Sequence, residues 1–167
     1  MTEEQKKLFE KNMNILKNEI DERFQELEDS GISLDDVQTV GITVAMGQRI
    51  TYIDSENFIC HMKFPIREWQ SNPYGICHGG MIATALDNAL GAVAKFGNSG
   101  KITTTMSMNI NFLKAVHMND NLIVKVKRLS WGTFSMCLYG EAFEESSDIL
   151  TSSATALFRI LPEDSVL

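Results

Sequence analysis

The sequence predicts an α+β fold, in which an antiparallel sheet wraps around one central helix and an additional helix precedes the sheet. Two patterns lead to this prediction. An apolar segment over residues 79–96 has the period of a helix, and segments with the period of a strand lie on both sides of it. A long antiparallel sheet has one apolar face to cover, and a single buried helix can do so. With 167 residues, 44% of them hydrophobic, the chain is large enough for one domain with a sizeable core.

The N-terminal segment predicts a long amphipathic helix over residues 3–28. Its apolar residues recur at steps of three and four, with charged residues between them: Phe9, Met13, Leu16, Ile20, Phe24 and Leu27. Ser30-Gly31 ends this helix, and Ser33 is placed to cap a short second helix. We therefore expect residues 1–39 to form a helical extension. It would pack on the body of the protein, residues 40–167, or on a neighbouring subunit.

Six segments show the alternation of apolar and polar residues that is typical of strands. They cover residues 48–54, 57–64, 102–114, 121–130, 133–144 and 149–160. In the third segment four apolar residues, Met106, Met108, Ile110 and Phe112, alternate with four polar ones, Thr105, Ser107, Asn109 and Asn111. This pattern predicts a half-buried strand with one strongly polar face, to which Thr105 belongs.

The start of the central helix holds the residues with the clearest chemical potential. Gly79 and Gly80 follow His78, and glycine lets a backbone approach a ligand closely. The first N–H groups of a helix have no partner within it, which suits a developing oxyanion. Asp87 interrupts the apolar run in a narrow stripe of small or polar residues: Gly80, Thr84, Asp87 and Gly91. We expect so apolar a helix to be buried, and Asp87 with it, and buried carboxylates are often functional.

The charge of the chain is unevenly distributed. A net charge of −7 argues against a general nucleic-acid-binding protein. Residues 1–36 carry eleven acidic and five basic residues, whereas residues 91–140 carry six basic residues and one acidic residue. Four of these basic residues are candidates to contact phosphate groups: Lys114, Lys125, Lys127 and Arg128. The alternative is that they only keep the strand edges soluble.

Cysteine usage and hydropathy indicate a cytoplasmic protein. Cys60, Cys77 and Cys137 are widely spaced and form no CxxC pair, so they predict neither a disulfide framework nor a zinc site. No apolar run approaches the ~20 residues that a membrane-spanning helix needs. The charged N-terminus also lacks the apolar stretch of a signal peptide. We therefore expect no metal, no membrane and no nucleic acid among its partners.

One motif resembles a known family. The pattern is N-x-x-G-x-x-H-G-G followed by an aspartate, and its residues here are Asn72, Gly75, His78, Gly79, Gly80 and Asp87. Over roughly residues 40–162 the chain resembles proteins of the hotdog fold. More narrowly, it resembles the acyl-CoA thioesterases of the phenylacetate-degradation (PaaI) and THEM2-like type. The resemblance implies hydrolysis of an acyl- or aryl-acyl-CoA to the free acid and CoA, with no cofactor.

The resemblance also implies roles for single residues. Asp87 would act as general base or nucleophile toward the thioester carbonyl. A backbone N–H at the helix start, which we assign to Gly80, would polarise the thioester oxygen. Asn72 would hold the attacking water or the substrate carbonyl, and Thr105 would supply a hydroxyl from the first strand after the helix. The family further implies that Asp87 and Asn72 meet across a dimer interface, in dimers that pair into tetramers.

His78 and Cys77 lie next to these residues, and each has an explanation that involves no catalysis. His78 and Gly79 would line the substrate side of the site, but a histidine beside a helix start more often fixes a loop by hydrogen bonding. We expect that structural role for His78. Cys77 has no acidic partner or activating pattern, so a Cys–His nucleophile is not favoured.

Two other functions compete with the thioesterase. The first is a non-catalytic acyl-CoA sensor on the same fold, although a pure binder has no need of a carboxylate beside a thioester. The second is a hotdog dehydratase or hydratase, whose expected H-x-F-P-G or D-x-N-x-x-H signatures are absent from the sequence.

Overall fold

The computed structural model describes residues 2–98 and 101–162 and places a long helix between two groups of strands. The helices are α1 (Glu3–Asp29), α2 (Val37–Val40), α3 (Ile42–Ala45) and α4 (Gly79–Phe96), with a 3₁₀ turn at Glu68–Gln70. The strands are β1 (Arg49–Asp54), β2 (Ile59–Pro65), β3 (Thr103–Phe112), β4 (Asn121–Trp131), β5 (Ser135–Glu144) and β6 (Ile149–Ile160). No helix within the described ranges is long and apolar enough to cross a membrane.

The six strands form one antiparallel sheet in the order β1-β2-β4-β5-β6-β3. Alternate residues of β2, β4 and β5 are buried, because one face of the sheet packs on α4. The helix buries seven apolar residues against that face: Ile82, Ala85, Leu86, Ala89, Leu90, Val93 and Ala94. This arrangement confirms the predicted α+β fold, in which the sheet wraps around a central helix.

Helix α1 packs on the same core. All six apolar residues of its predicted stripe are buried. The helix contacts β1 and α4, and the Arg49 guanidinium lies 3.5 Å from the centre of the Phe24 ring. The short helix that follows is capped differently from our prediction. The carboxylate of Asp36 accepts the N–H of Thr39 at 3.3 Å, whereas the Ser33 hydroxyl accepts the N–H of Asp35 in a turn.

Strand β3 departs from the predicted alternation. A register shift between Thr105 and Ser107 interrupts its pairing with β6. Thr105 lies opposite the buried Phe158, but Ser107 lies opposite Leu157 on the other face of the sheet. The prediction that Thr105 belongs to the polar face of β3 is therefore wrong, because an irregularity of one residue reverses the alternation.

The position of β3 at the edge of the sheet also leaves it more exposed than predicted. Met106 is 58% exposed and Phe112 is 55% exposed, although both were expected on a half-buried face. Met108 and Ile110 are the residues of β3 that pack against the core. Strand β3 contacts α4, and the candidate site lies between these two elements.

Candidate active site

The start of α4 is held by His78, which is its N-cap residue. The ring Nδ1 of His78 accepts the N–H of Gly80 at 2.9 Å, and its carbonyl oxygen accepts the N–H of Met81 at 2.8 Å. The N–H of His78 in turn donates to the carbonyl oxygen of Gln70, a fully buried residue. These contacts give His78 the loop-fixing role that the sequence favoured. They also make it the acceptor that a helix N-terminus requires.

The two glycines of the helix start differ in their hydrogen bonding. The N–H of Gly80, our predicted oxyanion donor, is already bound to His78. The N–H of Gly79 has no acceptor within the described residues. A Cβ atom placed on Gly79 would lie 3.6 Å from the ring of Phe112, so this ring stands beside the free N–H. The geometry therefore favours Gly79 over Gly80 as the donor.

Asp87 lies two turns into α4 and faces β3. The hydroxyl of Thr105 donates a hydrogen bond of 3.0 Å to its Oδ1 atom. The sequence predicted a buried carboxylate, but Asp87 is only half-buried in the single chain. The difference has a physical cause: the other residues of its stripe, Gly80, Thr84 and Gly91, are small, and β3 is the last strand of the described sheet. The carboxylate thus keeps an open side toward solvent.

Asn72 lies in the loop before α4, where its side chain organises the backbone. Its Oδ1 atom accepts the N–H of Tyr74 at 2.9 Å and that of Ile76 at 3.4 Å. The N–H of Asn72 donates to the carbonyl oxygen of Ile76 at 2.8 Å, which closes the loop. Gly75 has a φ of +74° within it, a conformation that favours glycine. In the described part of a single chain, no hydrogen bond joins Asn72 to Asp87.

The thiol next to His78 is unsuited to nucleophilic attack. Cys77 is buried, and burial raises its pKa to about 11, so the thiol stays protonated at neutral pH. Its sulfur lies 3.8 Å from the carbonyl oxygen of His78. Geometry and protonation therefore disfavour a Cys–His nucleophile, as the sequence does.

The four candidate phosphate ligands do not share one face. Lys125 and Lys127 lie over the rings of Phe143 and Tyr139, at 3.8 Å and 5.0 Å from the ring centres. Arg128 lies opposite the buried Leu138 and stacks on Phe58 at 4.0 Å. Lys114 follows β3, and its N–H donates to the carbonyl oxygen of Thr151. The structure thus distributes the basic residues instead of forming one patch around the site.

Two residues that support the site were missed by the sequence reasoning. Gln70 is fully buried and anchors both Arg67 and His78, but a single glutamine in a loop gives no sequence signal. The sequence pattern places Phe112 only on a strand. Its place beside Gly79 depends on how β3 runs along α4.

Part of the chain matches a known protein family. A family model described as "Thioesterase superfamily" matches residues 74–150, which include Asp87, Gly79 and Thr105. No curated protein matches the sequence significantly.

Several solved structures share the fold at low sequence identity. The Escherichia coli PaaI protein of the phenylacetic acid degradation operon has a TM-score of 0.64 and 16% identity, covering 71% of this chain and 82% of its own. A Streptococcus pneumoniae hypothetical thioesterase solved with coenzyme A has a TM-score of 0.62 and 21% identity, covering 71% and 88%. Zebrafish thioesterase superfamily member 2 has a TM-score of 0.66 and 15% identity, covering 77% and 91%. The chain therefore has the hotdog fold that these structures share, and its residues 74–150 match the thioesterase superfamily model.

Proposed function

We propose that this protein is an acyl-CoA thioesterase that hydrolyses an acyl- or aryl-acyl-CoA to the free acid and CoA. The observation that carries the proposal is the hydrogen bond of 3.0 Å from Thr105 to Asp87, on a side of α4 that is open to solvent. The same helix begins at Gly79, whose N–H has no acceptor among the residues that the structure describes. The similar Streptococcus pneumoniae protein was solved with coenzyme A, which supports a CoA ester as the substrate.

In the proposed reaction the Gly79 N–H donates to the thioester oxygen and stabilises the negative charge that develops there. The positive end of the helix dipole adds to this stabilisation. Asp87 acts as general base toward water, or attacks the carbonyl carbon itself. With water as nucleophile, Asp87 takes its proton while the new C–O bond forms. The C–S bond then breaks, and the thiolate of CoA leaves with the proton that Asp87 took from water. In direct attack, the C–S bond breaks as a mixed anhydride forms on Asp87, and water then hydrolyses this anhydride to release the acid. Thr105 holds the carboxylate in place.

We further propose that a second copy of the chain completes the site. The half-buried Asp87 and the exposed Met106 and Phe112 mark the side of the molecule where β3 forms the sheet edge. A dimer formed along this edge would cover apolar surface and bring Asn72 of one subunit toward Asp87 of the other. Such dimers would pair into tetramers, in the cytoplasm. Residues 1–39 would remain a helical extension of the hotdog domain over residues 40–167.

The test is release of free thiol from short, long and aromatic acyl-CoAs by the wild-type protein and by Asp87→Asn. We expect turnover by the wild type and a loss of about 10²–10⁴-fold in kcat for the variant, because the amide cannot accept the proton. Asp148→Asn makes the same chemical change in an exposed turn and should leave kcat unchanged. Full activity of a folded Asp87→Asn protein would refute the mechanism. Tight binding of acyl-CoA without turnover would instead indicate a sensor.

A further inference from the structure

One buried carboxylate has no part in the proposed reaction. Glu144, the last residue of β5, is 4% exposed, and it is the only acidic or basic side chain that is buried within residues 2–98 and 101–162. Removing a charge from water costs free energy unless hydrogen bonds compensate it. A carboxylate at such a position therefore needs a specific set of partners.

Both oxygens of Glu144 have partners. Oε1 accepts the backbone N–H of His117 at 2.9 Å and lies 2.6 Å from its ring Nδ1. Oε2 accepts the hydroxyl of Ser147 at 2.8 Å. Burial by itself would raise the pKa of Glu144, but the hydrogen bonds from His117 and Ser147 outweigh burial and lower this pKa. The group that Glu144 holds most closely, at two atoms, is His117.

His117 is joined to the loop that carries Asn72. Ile76 forms an isolated antiparallel bridge with His117, and the N–H of Cys77 donates to the carbonyl oxygen of Val116 at 2.9 Å. Ile76 is also the residue that closes the Asn72 loop, through hydrogen bonds in both directions. A continuous path of contacts therefore leads from Glu144 through His117 and Ile76 to Asn72.

We propose that Glu144 is a positioning residue for the active site: it holds His117 and, through the bridge to Ile76, fixes the loop that presents Asn72. The proposal rests on the proposed function, in which Asn72 contacts the substrate or the attacking water. The loop needs such an anchor because its tip is exposed, with Tyr74 88% exposed. Glu144 can serve because it is fixed within the sheet, between β4 and β6. A polar group on a regular secondary-structure element positions a loop more precisely than a second loop would.

The test is a double-mutant cycle on kcat that combines Glu144→Gln with Asn72→Ala. Glu144→Gln should lower kcat about tenfold, because small displacements of a positioned group cost orders of magnitude in rate, while KM for the acyl-CoA changes little. In the Asn72→Ala background the same change should cost nothing further, since its effect passes through Asn72. Ser147→Ala removes the hydrogen bond to Oε2 and the long one from the N–H of Ile149, but it leaves both contacts of Oε1 with His117 in place. It serves as the control, with kcat near wild type.

A second variant and a second measurement guard against a folding defect. The His117 side chain is 72% exposed, so His117→Ala should fold. It removes the ring contact but keeps the backbone N–H bond to Oε1, so it should reproduce part of the loss in kcat. Hydrogen exchange at the Ile76 and Cys77 amides should become faster in Glu144→Gln, with exchange in α4 unchanged.

Equal losses in kcat from Glu144→Gln in both backgrounds would overturn the positioning role, as would unchanged exchange at Ile76 and Cys77. A failure of the proposed function has a different signature. In that case the wild type lacks thioester hydrolysis, or Asp87→Asn retains it, whatever the Glu144 variants do.

Discussion

At the scale of single residues, hydrogen-bond partners decide which of several similar groups is available for chemistry. Gly79 and Gly80 are neighbours of the same type, but the N–H of Gly80 is bound to His78, whereas that of Gly79 has no acceptor in residues 2–98 and 101–162. His78 has an imidazole next to the site, yet its Nδ1 atom is used as a helix cap. Thr105 is one of several hydroxyl residues on β3, and it is the one that reaches Asp87.

A prediction about Thr105 belongs to this scale. Thr105→Val keeps the shape of the side chain but removes the donor to Asp87, so we expect kcat to fall about tenfold, the size of one lost hydrogen bond to a charged group. Thr105→Ser retains the hydroxyl and should retain most of the activity. Steady-state kinetics with one acyl-CoA would show the difference. Equal rates for the valine and serine variants would contradict a role for this hydroxyl.

At the scale of elements, α4 and the loop before it form one unit. The loop ends at His78, which caps the helix, and Gln70 ties the other end of the loop to the same residue. The helix that covers the sheet therefore also positions the groups at its own start. Helix capping and the proposed chemistry use different groups: the N–H of Gly80 donates to the cap residue His78, and the N–H of Gly79 is the proposed oxyanion donor.

His78→Ala should reveal this separation. Loss of the cap should lower the free energy of unfolding by about 1 kcal/mol, and His78→Asn, which supplies a new cap acceptor, should restore most of it. Because we assign His78 no proton transfer, His78→Asn should also retain the wild-type kcat. Denaturant unfolding and thioester hydrolysis, measured on both variants, test the assignment. A stable His78→Asn protein without activity would point to a chemical role for the imidazole.

At the scale of the whole molecule, the open edge of the sheet is the main feature. The strand β3 has a partner only on its β6 side within the described sheet, and it carries exposed apolar residues next to the site. An open edge with apolar side chains favours association with another chain. The proposed dimer would therefore close the sheet edge and the active site together.

Met106→Lys tests the dimer. A charge at this exposed position should shift the protein toward monomers in sedimentation analysis and should lower activity in parallel, because burial of an unpaired charge in an interface is costly. Leu129→Lys is the matched control, since Leu129 on β4 is 54% exposed and Met106 58%. An unchanged oligomeric state for Met106→Lys, or the same shift for both variants, would exclude β3 as the interface.

Local patterns in the sequence determined most of the fold. Period and turn residues are short-range signals, so they located α1, α4 and all six strands within about two residues of their observed ends. The motif around His78 and Asp87 likewise identified the segment that carries the candidate site, since its residues lie close together along the chain.

Only the tertiary structure decided how residues distant in the sequence meet. The irregularity at Met106 depends on the pairing of β3 with β6 and turns Thr105 toward Asp87, against the simple alternation. The half-exposed state of Asp87 follows from the order of the strands, which leaves β3 at the edge. Glu144 and His117 are 27 positions apart, and no local pattern predicts that the buried carboxylate of Glu144 contacts His117. Such contacts depend on the packing of the whole sheet, whereas periodicity reports only which face of an element is apolar.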